Sequence, residues 1–219
     1  MSDPIIGNRI IVEVQSELGN PLTISSITLA NPPVVTYTPD STGALANGDI
    51  VVFNITSGMD DMHRQACRVA SATGTTFQAE GLDSSDYDAF VAGTVTKVET
   101  FGAFDKSRTV SAPNADPPQV DVTTLKDKRS RVVYGLPGAI TGDITALFNP
   151  GGETEALLED ASDHQTPVVI RIRYADGRST VVNTLVAFGS GFSLAPNAAA
   201  ESSVKFTPQG AKGLVHYGT

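Results

Sequence analysis

Asp121-Val122-Thr123-Thr124-Leu125, then Gly135-Leu136-Pro137-Gly138, then Gly142-Asp143-Ile144-Thr145 are the stretches that decide how this chain folds. A short β-type segment, a charged loop (Lys126, Asp127, Lys128, Arg129, Arg131), a glycine–proline turn and a second β-type segment follow in that order. The composition around them agrees. The chain has 219 residues, 40% of them hydrophobic, enough for a core in one large or two small domains. Val, Ile and Thr are frequent and are interrupted by 20 Gly and 13 Pro, which predicts many short strands joined by turns.

Upstream, residues 9–15 read as a strand with Ile10, Val12 and Val14 on one face, closed by a turn at Gly19-Asn20-Pro21. Six short strands follow, at 24–29, 34–38, 50–55, 67–72, 75–79 and 94–98. Breakers such as Asn31-Pro32-Pro33, Asn47-Gly48-Asp49 and Thr73-Gly74 separate them. That regular punctuation predicts a small antiparallel barrel or sandwich. Residues 101–119 are rich in Ser, Pro, Asp and Asn and read as a long loop without regular pairing.

Downstream, strands are expected at 120–124, 131–134, 140–148, 168–174, 180–188 and 202–206, with Ala175-Asp176-Gly177-Arg178 as a hairpin turn. Residues 153–164 form the one convincing helix. Ala156, Leu157 and Ala161 face inward with Leu158 beside them, and Glu153, Glu155, Glu159, Asp160 and Asp163 face outward. Pro167 stops it.

The order Asp121-Val122-Thr123-Thr124-Leu125, Gly135-Leu136-Pro137-Gly138, Asp143-Ile144 resembles the signature of the λ-like major tail tube proteins of siphophages. The resemblance spans residues 99–210 and takes residues 9–15 as the first strand. It implies a mainly β fold, a tail-tube β-sandwich (residues 1–21 and 99–219) with one flanking helix. It also implies a homo-oligomer of hexameric rings stacked into a tube, meeting terminator, tape-measure and tail-tip proteins. Phage DNA would pass through the lumen without specific binding, in a virion tail made in the host cytoplasm. Residues 22–98 have a resemblance of their own. Asn31-Pro32, Gly48-Asp49-Ile50-Val51, Ser57-Gly58-Met59 and Gly81-Leu82-Asp83-Ser84 are similar to the FCCH-type module, which implies an inserted small β-barrel domain without ubiquitin chemistry.

Charge divides the chain. Residues 1–100 carry 12 acids against Arg9, Arg64, Arg68 and Lys97, a net −8; the remainder carries 12 acids and 11 bases, a net −1. The overall −9 argues against gripping DNA by its phosphates, which takes clustered Lys and Arg, but suits a wall past which DNA slides. Two groups are candidates for assembly contacts. Lys106, Arg108, Asp116, Lys126, Asp127, Lys128 and Arg129 belong to a loop that, by the resemblance, stacks one ring on the next. Arg171 and Arg173 share one face of a strand; they are solvent-facing, or they meet acids such as Asp143 or Glu159 of a neighbour.

No chemistry competes with that reading. Asp60-Asp61-Met62-His63 and Asp83-Ser84-Ser85-Asp86-Tyr87-Asp88 lack calcium-loop or zinc spacing and read as solvated loop acids. His63, His164 and His216 are scattered, and Gly189-Ser190-Gly191 lacks nucleophile-elbow spacing. No catalytic residue, metal or cofactor is expected, and no apolar run is long enough to cross a membrane. No basic start followed by an apolar block is visible, so no secretory signal is expected. Cys67, the single cysteine, reads as a small buried hydrophobe made in a reducing compartment. The alternatives are a surface adhesion or ligand-binding β module, disfavoured by the 6% aromatic content without Trp, and another virion part such as a terminator or connector.

Overall fold

Alternating apolar residues draw out two long strands, β1 (Ile11–Ile27) and β6 (Phe90–Ala103), which lie antiparallel side by side. The computed structural model describes residues 10–40, 44–112, 117–126, 128–136, 138–149, 151–189, 191–193 and 199–218. In β1, Val12 and Val14 enter one apolar core and Leu22, Ile24 and Ile27 enter another. Register shifts from Gln15 to Pro21 interrupt the ladder between the two sets. The turn expected at Gly19-Asn20-Pro21 is therefore absent. The strand runs through it, with Pro21 opposite Thr96, because an irregularity tolerates a residue that donates no ladder bond.

Strands β2 (Val34–Tyr37), β3 (Ile50–Gly58), β4 (Ala66–Ala70) and β5 (Thr76–Glu80) complete a ring. Pairing runs β1-β2-β5-β4-β3-β6 and returns to β1, so all six strands have partners on both sides. Phe53, Phe77 and Tyr37 fill it, with Tyr37 edge-on to Phe77 at 5.8 Å. The Tyr37 hydroxyl accepts the Leu45 N–H at 2.7 Å, so the buried phenol is satisfied.

Beyond β6 come β7 (Ser107–Ser111), β8 (Gln119–Asp121), β9 (Val132–Tyr134) and β10 (Gly142–Leu147). Helix α1 (Glu153–Asp163) follows, then β11 (Val168–Arg173), β12 (Ser179–Ala187), β13 (Glu201–Pro208) and β14 (Val215–Tyr217). The main sheet continues from β1 as β11-β12-β13-β10-β7 and packs around Val12, Val14, Phe104, Ile144, Ile170, Val182, Val204 and Phe206. The result is mainly β, a sandwich with one helix.

That helix turns its Thr154, Leu158 and Ala161 inward, an i, i+4, i+7 stripe. Ala156 is exposed and Leu157 half-buried, contrary to the apolar count. A threonine takes the core position because its hydroxyl donates to the Ala103 carbonyl at 3.0 Å, beside Gly102, where a Cβ would meet the Thr154 Oγ1 at 3.2 Å. Gln165, at φ 52°, ends the helix before Pro167.

Two further expectations change. The stretch 101–119 is not one loop: β6 persists to Ala103, the Ser107 N–H donates to Phe104 O, and Ser107–Ser111 pairs with β10. The proline-rich part begins only at Pro113, so Ser-Arg-Thr-Val-Ser is free to be an edge strand. And Val215–Tyr217, too short to stand out in the sequence, pairs with β12.

This last strand joins the two cores. Val169, Val181, Val215 and Tyr217 belong to the same apolar cluster as the six-strand ring. The Tyr217 hydroxyl accepts the Arg68 N–H at 2.8 Å, and the Arg68 guanidinium lies 4.6 Å above the Tyr217 ring while binding both oxygens of Glu80. Asn183 donates to the Arg64 carbonyl at 2.8 Å, and Gln65 accepts the Lys212 N–H at 3.1 Å. Removing the phenol oxygen in Tyr217→Phe leaves the Arg68 N–H without its partner. We expect a loss of about 1–3 kcal/mol, read as a lower urea midpoint at unchanged slope.

Cys67 is fully buried in this region, and burial pushes its thiol well above the ordinary range, with Glu80 adding to the effect. Since the thiolate is the nucleophile, N-ethylmaleimide is expected to leave the native protein unmodified and to label it once on unfolding, as mass spectrometry will show.

Candidate functional site: an exposed arm and open sheet margins

Strands β8 and β9 form a two-stranded arm outside the main sheet, with Val120 opposite Val133. The conspicuous sequence signature turns out to be the lock at the base of its loop. Asp121 accepts the Thr123 N–H at 2.8 Å and also the Thr123 hydroxyl, and the Thr123 oxygen takes the Arg131 N–H at 2.9 Å. The hydroxyl and N–H of Thr123 hold the Asp121 carboxyl below its usual range. The Val122 N–H reaches Arg131 O and the Gly135 N–H reaches Pro118 O, so both ends of the arm are pinned. A Cβ at Gly135 would come within 3.1 Å of the Pro118 ring, a tight approach.

What the arm presents is unusual for a soluble surface. Val120, Val122, Leu125, Val132, Val133, Tyr134 and Leu136 are all exposed, Leu125 completely. Most other exposed large hydrophobics are scattered singly, which is normal; a contiguous set marks an interaction surface. Lys126, Lys128 and Arg129 are exposed in the loop between β8 and β9. Asp116 and Asp127 lie outside the described residues.

The remaining expected site residues are not on the arm. Lys106 sits in the turn before β7, where its carbonyl accepts the Leu147 N–H at 2.9 Å. Arg108 lies on β7 and pairs with Glu201 of β13. Asp143 is on β10, opposite Ser111 and Lys205, separated from Arg171 and Arg173 by β13 and β12. Both arginines converge on Glu13 of β1: Arg171 Nε donates to Oε2 at 2.6 Å and Arg173 Nη2 to Oε1 at 2.7 Å. Arg171 also stacks 4.0 Å above the Phe101 ring. Glu13 is only 7% exposed, so one buried acid holds both arginines within the subunit. Its partner strands adjoin in space but lie some 160 residues apart in sequence, and no local pattern reveals the pairing.

Several sheet margins remain open among the described residues, that of β14 beside β12 included. β7 pairs only with β10, and β6 beyond Lys97 pairs only with β1. Asp83 accepts from Ser85 and Asn31, which lowers its carboxyl, and no three His, Cys, Asp or Glu side chains converge as metal ligands among the described residues.

An arm with exposed apolar faces and a sheet with unpaired margins are the parts of a protein that completes itself by association. Comparison with curated proteins returns no match. The family model described as phage tail tube protein matches residues 57–216, well over half of the chain, including the second half of the six-strand ring. The chain therefore belongs to the phage tail tube protein family, whose members are structural parts of the viral tail.

Proposed function

We propose that this chain is the major repeating subunit of a phage tail tube, arranged in hexameric rings that stack through the β8–β9 arm and enclose a passage for DNA. The observation that carries the reading is the arm: an ordered hairpin base under a set of exposed apolar side chains. Burying a Leu, Val or Tyr of this kind is worth about 1.5–3 kcal/mol each, so several per subunit outweigh the cost of ordering the rest of the loop. Within a ring, the margins of β6 and β7 gain partners from adjacent copies, which converts unpaired backbone groups into ladder bonds. The basic loop (Lys126, Lys128, Arg129) finds acids on a neighbouring ring.

Residues 22–98 act in this reading as an inserted barrel of the FCCH-like type on the outside of the tube, since a module of that size in the bore would obstruct DNA. Their attachment supports it: the chain enters and leaves through β1 and β6, two unbroken strands that run side by side, so the insertion has a set orientation. Terminator, tape-measure and tail-tip proteins are the partners at the tube ends.

Electron microscopy of the concentrated protein, and of native virions, is expected to show stacked annuli. Only separate globules in both would remove the proposal. Replacing residues 119–134 by a short Gly-Ser turn between Pro118 and Gly135 is expected to leave thermal stability unchanged and to abolish tubes. Tubes of normal length from that variant would deny the arm its role.

A further inference from the structure

We infer that the outward face of β7, β10 and β13 is the wall that lines the bore, an assignment that rests on the tube reading above. The register sets two rows of polar side chains across these strands. Thr109, Thr145 and Ser203 form one, and Ser111, Asp143 and Lys205 the other. The alternate residues Ile144, Ala146, Val204 and Phe206 are buried in the core, so both rows point away from it. Thr109, Ser111, Ser203 and Lys205 are exposed, and Asp143 and Thr145 half-buried.

The chemistry of this face is distinctive. Its charges come in opposite pairs: Asp143 stands across from Lys205, and Arg108 is bound to Glu201. None of the exposed large hydrophobics lies on β7, β10 or β13; Phe192 borders one end, stacked on Phe148 at 4.7 Å. Duplex DNA carries one charge per ~1.7 Å of its axis, so clustered bases on a wall would bind it and release its counterions. Apolar patches would deprive water at the wall of hydrogen bonds. A neutral, hydroxyl-rich sheet does neither and lets a hydrated polyanion move past.

The other surfaces are less suited. Over β11 and β12, Val169 and Val181 are already covered as part of the core of the six-strand ring. The arm exposes leucines and a cluster of cations. The outer side of α1 carries Glu153, Glu155, Glu159, Asp160 and Asp163 on a single helix, which has no ladder of its own to continue into an adjacent copy. By contrast β7 is itself a margin, so an adjacent copy extends the hydroxyl rows directly into a continuous wall.

The test is cysteine accessibility, for which buried Cys67 supplies a silent background. Thr109→Cys and Ser203→Cys are made separately, with Asp86→Cys on the six-strand ring as an outer-surface control. Each is treated with N-ethylmaleimide and with a maleimide on a several-kilodalton polyethylene glycol, as free subunits and as tubes. Both bore-face thiols are expected to react with either reagent in free subunits. In tubes they should react with N-ethylmaleimide while the large reagent is slowed by more than an order of magnitude, and Asp86→Cys should accept both. Equal labelling by the large reagent in tubes would put the face on the outside. Protection from both reagents, or failure of both variants to assemble where the unmodified chain does, would put it in a subunit contact. Either result overturns the assignment and leaves the tube reading standing. Absence of tubes from the unmodified chain and from virions removes both.

Discussion

Strands β1 and β6 are paired along most of their length, and through them two apolar cores share one backbone ladder. Neither core could shift against the other without breaking bonds in that ladder, because β1 crosses from one core into the other and Phe104, directly after β6, enters the second. The register shifts between Gln15 and Pro21 lie where β1 passes from one interior to the other, so the irregular part of the ladder falls between the two cores. Tyr217 and Val215 then reach back from the end of the fold and close the joint with an apolar contact and a hydrogen bond to Arg68.

Electrostatics follows the same division between what is completed inside the subunit and what is left open. Glu13 with Arg171 and Arg173, and Glu80 with Arg68, are satisfied within the chain, with guanidinium groups stacked on Phe101 and Tyr217. Desolvation offsets much of the attraction in such pairs, so removing one partner costs more than the intact pair contributes. The arm is the opposite case. Its base is locked by Asp121 and Thr123, while its side chains and its cations have been left facing solvent. Its ladder and its hydrogen-bonded base are thus complete within the subunit, whereas its apolar side chains are not covered by it.

Much of the architecture was legible from residue order. Alternation and glycine–proline punctuation located most of the strands, and the acidic stretch before Pro167 located the helix, as the strands and α1 confirm. The misses have physical causes. Gly19-Asn20-Pro21 has turn chemistry, yet the long antiparallel pairing of β1 with β6 overrides it. Ser107–Ser111 has too little apolar content to signal a strand, because an edge strand needs only one covered side. Thr154 took a helix core position reserved by the apolar count for its neighbours, since its hydroxyl found the Ala103 carbonyl.

By itself the order of residues determined the local conformations and one motif, the Asp121–Leu125 and Gly135–Gly138 pair, because propensity, turn chemistry and short-range hydrogen bonds act within a few residues. Which side chains met across the molecule was decided only by tertiary structure. Glu13 with its two arginines, Tyr217 with Arg68, and the hydroxyl rows on β7, β10 and β13 all depend on strand register between distant segments. Register is set by packing of the whole sheet and leaves no trace in any one stretch of the chain.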